Sequence, residues 1–242
     1  MISSPAEPGG NMTTTHPDDF DPRTPIVSAW TPPSSWYVDP AFLEREKTNV
    51  FFNHWQFVGR TDLLPAAGSY FSGCFLGEPY VVVRNASGEI KAFRNVCRHH
   101  AAQVAQGEGV AEELVCPYHG WTYDFDGRLK SAPRLGKIEG FDPDLFGLPP
   151  LRVETWGPLV FVHFAEPDRD LFADLAPLRE RLDAWRFSEL QFVARRTYDL
   201  ACNWKVYVDN YLDGGYHVPG LHGGLAGQLD LEGYRTELFE RF

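Results

Sequence analysis

The sequence is short of cysteine, methionine and positive charge, and it contains no long apolar run. Four cysteines in 242 residues are too few for a secreted fold stapled by disulfides. No stretch reaches the about 20 consecutive apolar residues that a membrane-spanning helix needs, and the N-terminus lacks a charged-then-apolar signal layout. The expected chain is therefore soluble, with the cytosol as its default, cytoplasmic compartment and no membrane contact. Lys and Arg number 22 against 33 Asp and Glu, a net charge of -11. No dense basic run offsets it, so nucleic acid is not an expected partner. What remains is ordinary globular composition, 43% hydrophobic and 23% charged, which excludes wholesale disorder and predicts one to two domains.

The chain changes texture three times. Eight of the 19 prolines fall in the first 40 residues, and residues 1–38 read as a flexible N-terminal segment. Asp39-Pro40 is an N-cap followed by proline at the first helical position, and 39–54 reads as a helix with Phe42, Leu43, Val50 and Phe51 on one face. Residues 55–165 are short β-rich runs broken by turns, with a hairpin over Tyr80 to Phe93, a second about Asp126-Gly127, and a last strand over Leu159 to Phe164. Beyond 166, Leu171, Leu175, Leu178 and Leu182 predict a helix interrupted at Pro177. Gln191 to Leu200 then reads as a strand, Cys202 to Leu212 as a helix ended by Gly214-Gly215, and Tyr234 to Phe239 as strand-like. The expected class is α+β, an antiparallel β domain followed by a second, incomplete one.

Cys97-Arg98-His99 and Cys116-Pro117-Tyr118-His119 put one thiol and one imidazole in each of two short loops. A Cys2His2 set suits structural zinc, but zinc fingers usually pair Cys with Cys and His with His on a helix. A 2Fe-2S cluster with thiolates on one iron and imidazoles on the other accounts better for the mixed pairs. His100 falls outside this spacing and reads as a structural residue, as do His16, His54 and His163. Cys74 and Cys202 have no spaced partner and read as buried small hydrophobes. With Gly120-Trp121-Thr122-Tyr123 following directly, the two motifs resemble the Rieske domain signature, and the resemblance implies that Cys97, His99, Cys116 and His119 bind the cluster while Trp121 packs beneath its loop.

A second constellation follows the paired glycines: Asn210, Asp213, His217 and His222 within Asp209-Asn210-Tyr211-Leu212-Asp213-Gly214-Gly215-Tyr216-His217-Val218-Pro219-Gly220-Leu221-His222. Two imidazoles five positions apart suit ferrous iron in a two-His, one-carboxylate site with open positions. The stretch resembles the catalytic domain of Rieske non-haem iron oxygenase α subunits, in which two such histidines bind mononuclear Fe(II). By that resemblance His217 and His222 are iron ligands and Asn210 lies near the iron. The family usually carries an acid three residues before the first histidine, bridging the two metal centres of neighbouring subunits. Here that position is Gly214, and the role passes to Asp213, one residue earlier, as in choline monooxygenase-like members.

The resemblance implies an antiparallel β Rieske domain over 55–165 and the start of a helix-grip-like catalytic domain over 166–242. The family's third ligand, an aspartate, lies far beyond the second histidine, whereas 20 residues follow His222 and Asp230 is too close. The sequence is therefore expected to be the N-terminal part of a longer oxygenase, with its start at Met1 or Met12. The implied partners are O2, a small-molecule substrate, a ferredoxin or flavin reductase passing electrons from NAD(P)H, and two further copies in a homotrimer. Pro32-Pro33-Ser34-Ser35-Trp36-Tyr37 and Cys202 to His222 resemble quaternary-amine oxygenases such as choline monooxygenase more than aromatic-ring dioxygenases. The aromatic-ring-hydroxylating dioxygenase α subunit and, for this chain alone, a Rieske electron-transfer module are the alternatives.

Overall fold

The computed structural model describes residues 20–136, 138–215 and 217–230, with 233 and 235. Half of the expected flexible start, 1–19, and almost all of the strand-like Tyr234 to Phe239 lie outside them. The chain divides into two compact units: 46–194, and a second formed from 1–45 with 195–242. Among the described residues no helix is long and apolar enough to cross a membrane.

The chain enters through a single turn of helix, α1 (Ser35–Val38), and α2 (Pro40–Glu46). Asp39 starts α2 by accepting the Ala41 N–H at 2.8 Å, and a π-helical turn, Lys47–Phe51, follows.

Ten strands build the body of the larger unit: β1 (Gln56–Arg60), β2 (Ser69–Phe75), β3 (Glu78–Arg84), β4 (Ile90–Arg94), β5 (Glu108–Val110), β6 (Leu114–Val115), β7 (Thr122–Tyr123), β8 (Leu129–Ser131), β9 (Pro150–Trp156) and β10 (Leu159–His163). Seven form one sheet in the order β1-β10-β9-β4-β3-β2-β5 and three a smaller sheet, β6-β7-β8. The pairings are antiparallel. Strand β3 shows why the domain closes. Side chains alternate along a strand, yet Tyr80, Val81, Val82 and Val83 are all buried, so both faces of the sheet are covered. Val81 and Val83 join Leu114, Tyr123 and Leu129 of the smaller sheet, with Trp121 just before β7, in one core. Tyr80 and Val82 join Leu64, Phe71, Val160, Val162 and Phe164 in the other.

The expected hairpin is β3–β4. Asn85, buried at its turn, accepts from the Ser87 and Glu89 N–H groups at 3.1 and 2.9 Å and donates to Asp126 at 3.0 Å. The expected interruption at Pro177 is a break between α3 (Leu171–Asp174) and α4 (Ala176–Asp183), where proline occupies the first turn of the second helix.

In the second unit α5 (Trp204–Leu212), α6 (Val218–Leu221) and α7 (Gly223–Ala226) follow one another. The strand expected over Gln191 to Leu200 is absent. The segment is irregular, because a strand needs a ladder partner and none pairs with it among the described residues. Cys74 and Cys202 are exposed, not buried as their isolation in sequence suggested. Cys74 sits near the hairpin end of β2 opposite Pro79, and Cys202 precedes the N-cap of α5.

Candidate functional site

The two loops that carry the Cys-His motifs close by the same hydrogen-bond pattern. In the first, Cys97 N–H donates to Ala102 O at 2.8 Å and Ala101 N–H donates to Cys97 O at 3.0 Å. In the second, Cys116 N–H donates to Trp121 O at 2.8 Å and Gly120 N–H donates to Cys116 O at 3.0 Å. In each the residue four beyond the cysteine is left-handed, Ala101 at φ 59 and Gly120 at φ 74. Each cysteine is thus enclosed at the base of a tight loop while the histidine two or three residues on rides its outer turn. Cys97 and Cys116 are each 2% exposed, whereas His99, His100 and His119 are exposed.

The outer surface is a cluster of rings. His99 and His119 centroids lie 4.6 Å apart. His99 stacks flat on buried Trp121 at 4.9 Å and 3°, and Tyr118 stacks on His119 at 3.9 Å. His100, outside the sequence pattern, is 4.0 Å from His99, and the ligand nitrogens of His99, His100 and His119 fall within 4.8 Å of one another. Loss of hydration, then the charges of His100 and His119, push the His99 imidazole below its ordinary value, favouring the neutral ring that can ligate. Beside the rings a cleft of about 450 Å³ is lined by Tyr118, Trp121, Arg134 and Leu135.

Two supporting residues carried no role in the sequence reading. Tyr123 is fully buried; its hydroxyl accepts from the Arg98 N–H at 3.0 Å and lies 3.3 Å from Cys97 Sγ. Burial pushes this phenol far above its ordinary value, so it keeps its proton to donate. Asn95 is also fully buried; it accepts from Val104 and Ala105 N–H at 2.9 and 3.0 Å and donates to Ala105 O at 2.7 Å, tying down the far side of the first loop. Tyr123 stood within the motif and Asn95 two residues before it, but their partners are visible only in three dimensions.

The second constellation lies in the other unit. Asn203 caps α5 by accepting from the Lys205 N–H at 3.0 Å, and Asp213 ends it. Gly214 and Gly215 follow at φ 72 and 78, two successive left-handed residues that glycine alone adopts freely. They reverse the chain so that His217 returns to Asp213. His217 Nδ1 lies 2.5 Å from Asp213 Oδ2, which also accepts from the His217 N–H at 3.4 Å, while Oδ1 accepts from Gly215 N–H at 2.7 Å. The His217 bond is the main cause holding the Asp213 carboxyl below its ordinary value. One-turn α6 carries His217 at one end and His222 at the other, with their rings 5.3 Å apart. Asn210 is exposed on α5 and makes no hydrogen bond to this pair among the described residues. The one set of three closely gathered donors among those residues is His99, His100 and His119; the second site contributes two imidazoles.

Two domain families match the chain. Residues 54–142 match the Rieske 2Fe-2S domain, and residues 187–240 match the catalytic domain of the ring-hydroxylating α subunit. The chain thus carries a Rieske 2Fe-2S domain and part of a ring-hydroxylating α-subunit catalytic domain, the pair that Rieske non-haem iron oxygenase α subunits combine to bind a 2Fe-2S cluster and a mononuclear iron. It is similar to the chloroplastic choline monooxygenase of Arabidopsis thaliana, 44% identical over 92% of this chain and 56% of the relative. It also resembles the carnitine monooxygenase oxygenase subunit of Acinetobacter pittii, 32% identical over 90% of this chain and 59% of the relative. Among solved structures, the quaternary ammonium Rieske monooxygenase CntA with L-carnitine superposes with a TM-score of 0.77 at 32% identity, covering 84% of this chain and 58% of that one. Naphthalene 1,2-dioxygenase gives 0.70 at 27%, covering 77% and 44%. The chain thus spans little more than half the length of the curated relatives it matches.

Proposed function

We propose that this chain forms the electron-accepting and iron-binding part of an O2-dependent hydroxylase acting on a small quaternary ammonium compound of the choline or carnitine kind. Electrons would come from NAD(P)H through a separate ferredoxin or flavin reductase, and the assembled protein would be a homotrimer. The observation that carries the reading is the pair of matched loops, each burying a thiol and exposing an imidazole. That donor chemistry fits a cluster with sulfur ligation on one metal and nitrogen on the other. Greater identity to choline and carnitine monooxygenases than to naphthalene dioxygenase favours the quaternary ammonium substrate.

When bound, the cluster supplies single electrons and the mononuclear iron the positions at which O2 is activated. The chain's own residues do the rest. Cys97 and Cys116 would hold the cluster as thiolates from the buried side, and His99 and His119 would hold it as imidazoles from the exposed side. Tyr123 donates its hydroxyl hydrogen to Cys97 Sγ, withdrawing charge from the thiolate. Asp213 accepts a hydrogen bond from the Nδ1–H of His217, which fixes the tautomer and leaves Nε2 free to ligate. His222 presents the second imidazole. Asn210 would stand near the iron, and Asp213 would also serve as the link between the metal centres of neighbouring subunits. Residues 55–165 form the Rieske domain and 166–242 open the catalytic one. Free thiols throughout, two of them exposed, suit a reducing compartment, and we place the protein in the cytosol.

Iron and acid-labile sulfide analysis tests the reading. About two irons and two sulfides per chain are expected, with a third iron held weakly. His119→Ala should bleach the visible spectrum and His217→Ala should leave it intact. Product analysis of the longer protein, supplied with reductase and choline, carnitine, betaine or an aromatic substrate, decides the substrate class. Colourless protein carrying zinc and no sulfide would overturn the assignment.

A further inference from the structure

Helix α5 is gripped from outside by one residue at two heights. The Tyr37 carbonyl accepts from Asn203 Nδ2 at 3.0 Å, and the Tyr37 hydroxyl donates to Asp209 Oδ2 at 2.8 Å. Asn203 is the N-cap of α5, and Asp209 lies six residues, or about 9 Å along the axis, further on. A single residue of α1, through its backbone carbonyl and its side-chain hydroxyl, therefore spans most of the helix. Between the two bonds the Lys205 ammonium lies 5.5 Å from the Tyr37 ring, 5.3 Å from Phe42 and 5.3 Å from Trp204, within cation-π range of each. Trp36 stacks on Phe42 at 5.0 Å and backs this cluster. Bonds at two heights with a cation held between rings fix the rotation of a helix as well as its position.

That rotation matters for what comes next in the chain. Lys205, Asp209 and Asp213 recur at intervals of four and share one face of the helix. The face that Tyr37 grips is continued by Asp213, whose carboxylate meets His217 Nδ1 at 2.5 Å. A twist of α5 would carry Asp213 away from the imidazole. Burial, then its bond to Asp209, pushes the Tyr37 phenol up to about 12, so its hydroxyl remains a donor at neutral pH.

We infer that Tyr37 is a positioning residue for the Asp213–His217 pair, setting the rotation of α5 and with it the carboxylate that orients His217. The inference rests for its catalytic meaning on reading His217 as a metal ligand. The experiment therefore separates the two. Tyr37→Phe removes only the hydroxyl, Asp209→Ala removes its acceptor at an exposed helical position, and Asp209→Asn keeps an acceptor oxygen. Tyr207→Phe removes a hydroxyl elsewhere on the same helix. In the 242-residue chain, amide hydrogen exchange is followed over 209–215 together with the ¹⁵N signal of His217 Nδ1. Tyr37→Phe and Asp209→Ala should each speed exchange roughly five-fold, the loss of one net hydrogen bond, and shift the Nδ1 signal toward that of free imidazole. Asp209→Asn should restore most of both, and Tyr207→Phe should change neither. An unmoved Nδ1 signal in Tyr37→Phe and Asp209→Ala, or an equal response in Tyr207→Phe, overturns the inference. A Co(II) titration tests the ligand reading alone: binding lost in His217→Ala supports it, and binding indifferent to that change sinks it while the exchange and NMR results still decide the role of Tyr37.

Discussion

Because the two cysteine loops share one closure, the different residues at their left-handed positions form an internal experiment. Ala101 occupies the position at φ 59 and Gly120 at φ 74. A non-glycine residue held there costs about 1–2 kcal/mol. At Gly120 an added Cβ would meet only Pro133 Cγ, at 3.6 Å, an ordinary contact, so Gly120→Ala introduces backbone strain without a clash. The stiffer unfolded chain returns about 0.4–1 kcal/mol, leaving a net loss of about 1 kcal/mol. Ala101→Gly reverses both contributions and should be neutral to stabilising by about 1 kcal/mol, with the double exchange close to the starting protein. The larger unit runs from 46 to 194, for which each kcal/mol corresponds to roughly 2–4 °C in Tm. Thermal and urea unfolding, followed by tryptophan fluorescence and by the cluster's visible absorbance, reads the three variants side by side. A neutral Gly120→Ala, or an Ala101→Gly that loses more than about 1 kcal/mol, would refute the claim that the loops are held by the same backbone geometry.

Three further outcomes follow from the packing and the charges. Tyr123→Phe removes the hydroxyl 3.3 Å from Cys97 Sγ; a bond of about 1 kcal/mol corresponds to on the order of 40 mV for a one-electron couple, so voltammetry should find the cluster potential lowered by that order. Asp126 is held below its ordinary value chiefly by Lys91 and then by Asn85. Its contribution to stability is therefore complete above the unfolded value of about 3.9 and is lost as pH falls through the lower folded one, so the urea midpoints of the native protein and Asp126→Asn should converge with acidification below about pH 4. Leu64 is fully buried in the core beneath β3, and Leu64→Ala should cost about 2–5 kcal/mol by urea unfolding without moving the cluster's absorption maxima.

How much of this was legible in sequence depended on whether a feature is local. The cysteine and histidine spacings are local, and so is the β3–β4 hairpin, whose turn residues sit between two apolar runs. The helix end at Gly214-Gly215 is local too, because left-handed geometry marks itself by glycine. The loops' shared closure was not legible, since one of its two left-handed positions is filled by Ala101, which carries no such mark. Asn95 and Tyr123 escaped for a related reason: a buried polar side chain is identified by its partners, Val104 and Ala105 for one and Arg98 and Cys97 for the other. The 191–200 segment failed in the opposite direction, because apolar alternation describes a surface that fits a pleat but supplies no strand to pair with. The two exposed cysteines show the same limit, for lack of a spaced partner excludes a metal motif without saying which way a side chain faces. Spacing thus picked out the candidate ligands, whereas the groups that touch them, a phenol against a thiol and a carboxylate against an imidazole, are set by contacts that fold topology makes. Variants of Tyr123 and Tyr37 consequently probe contacts that no substitution of Cys97, His99 or His217 reads, because they leave every candidate ligand in place.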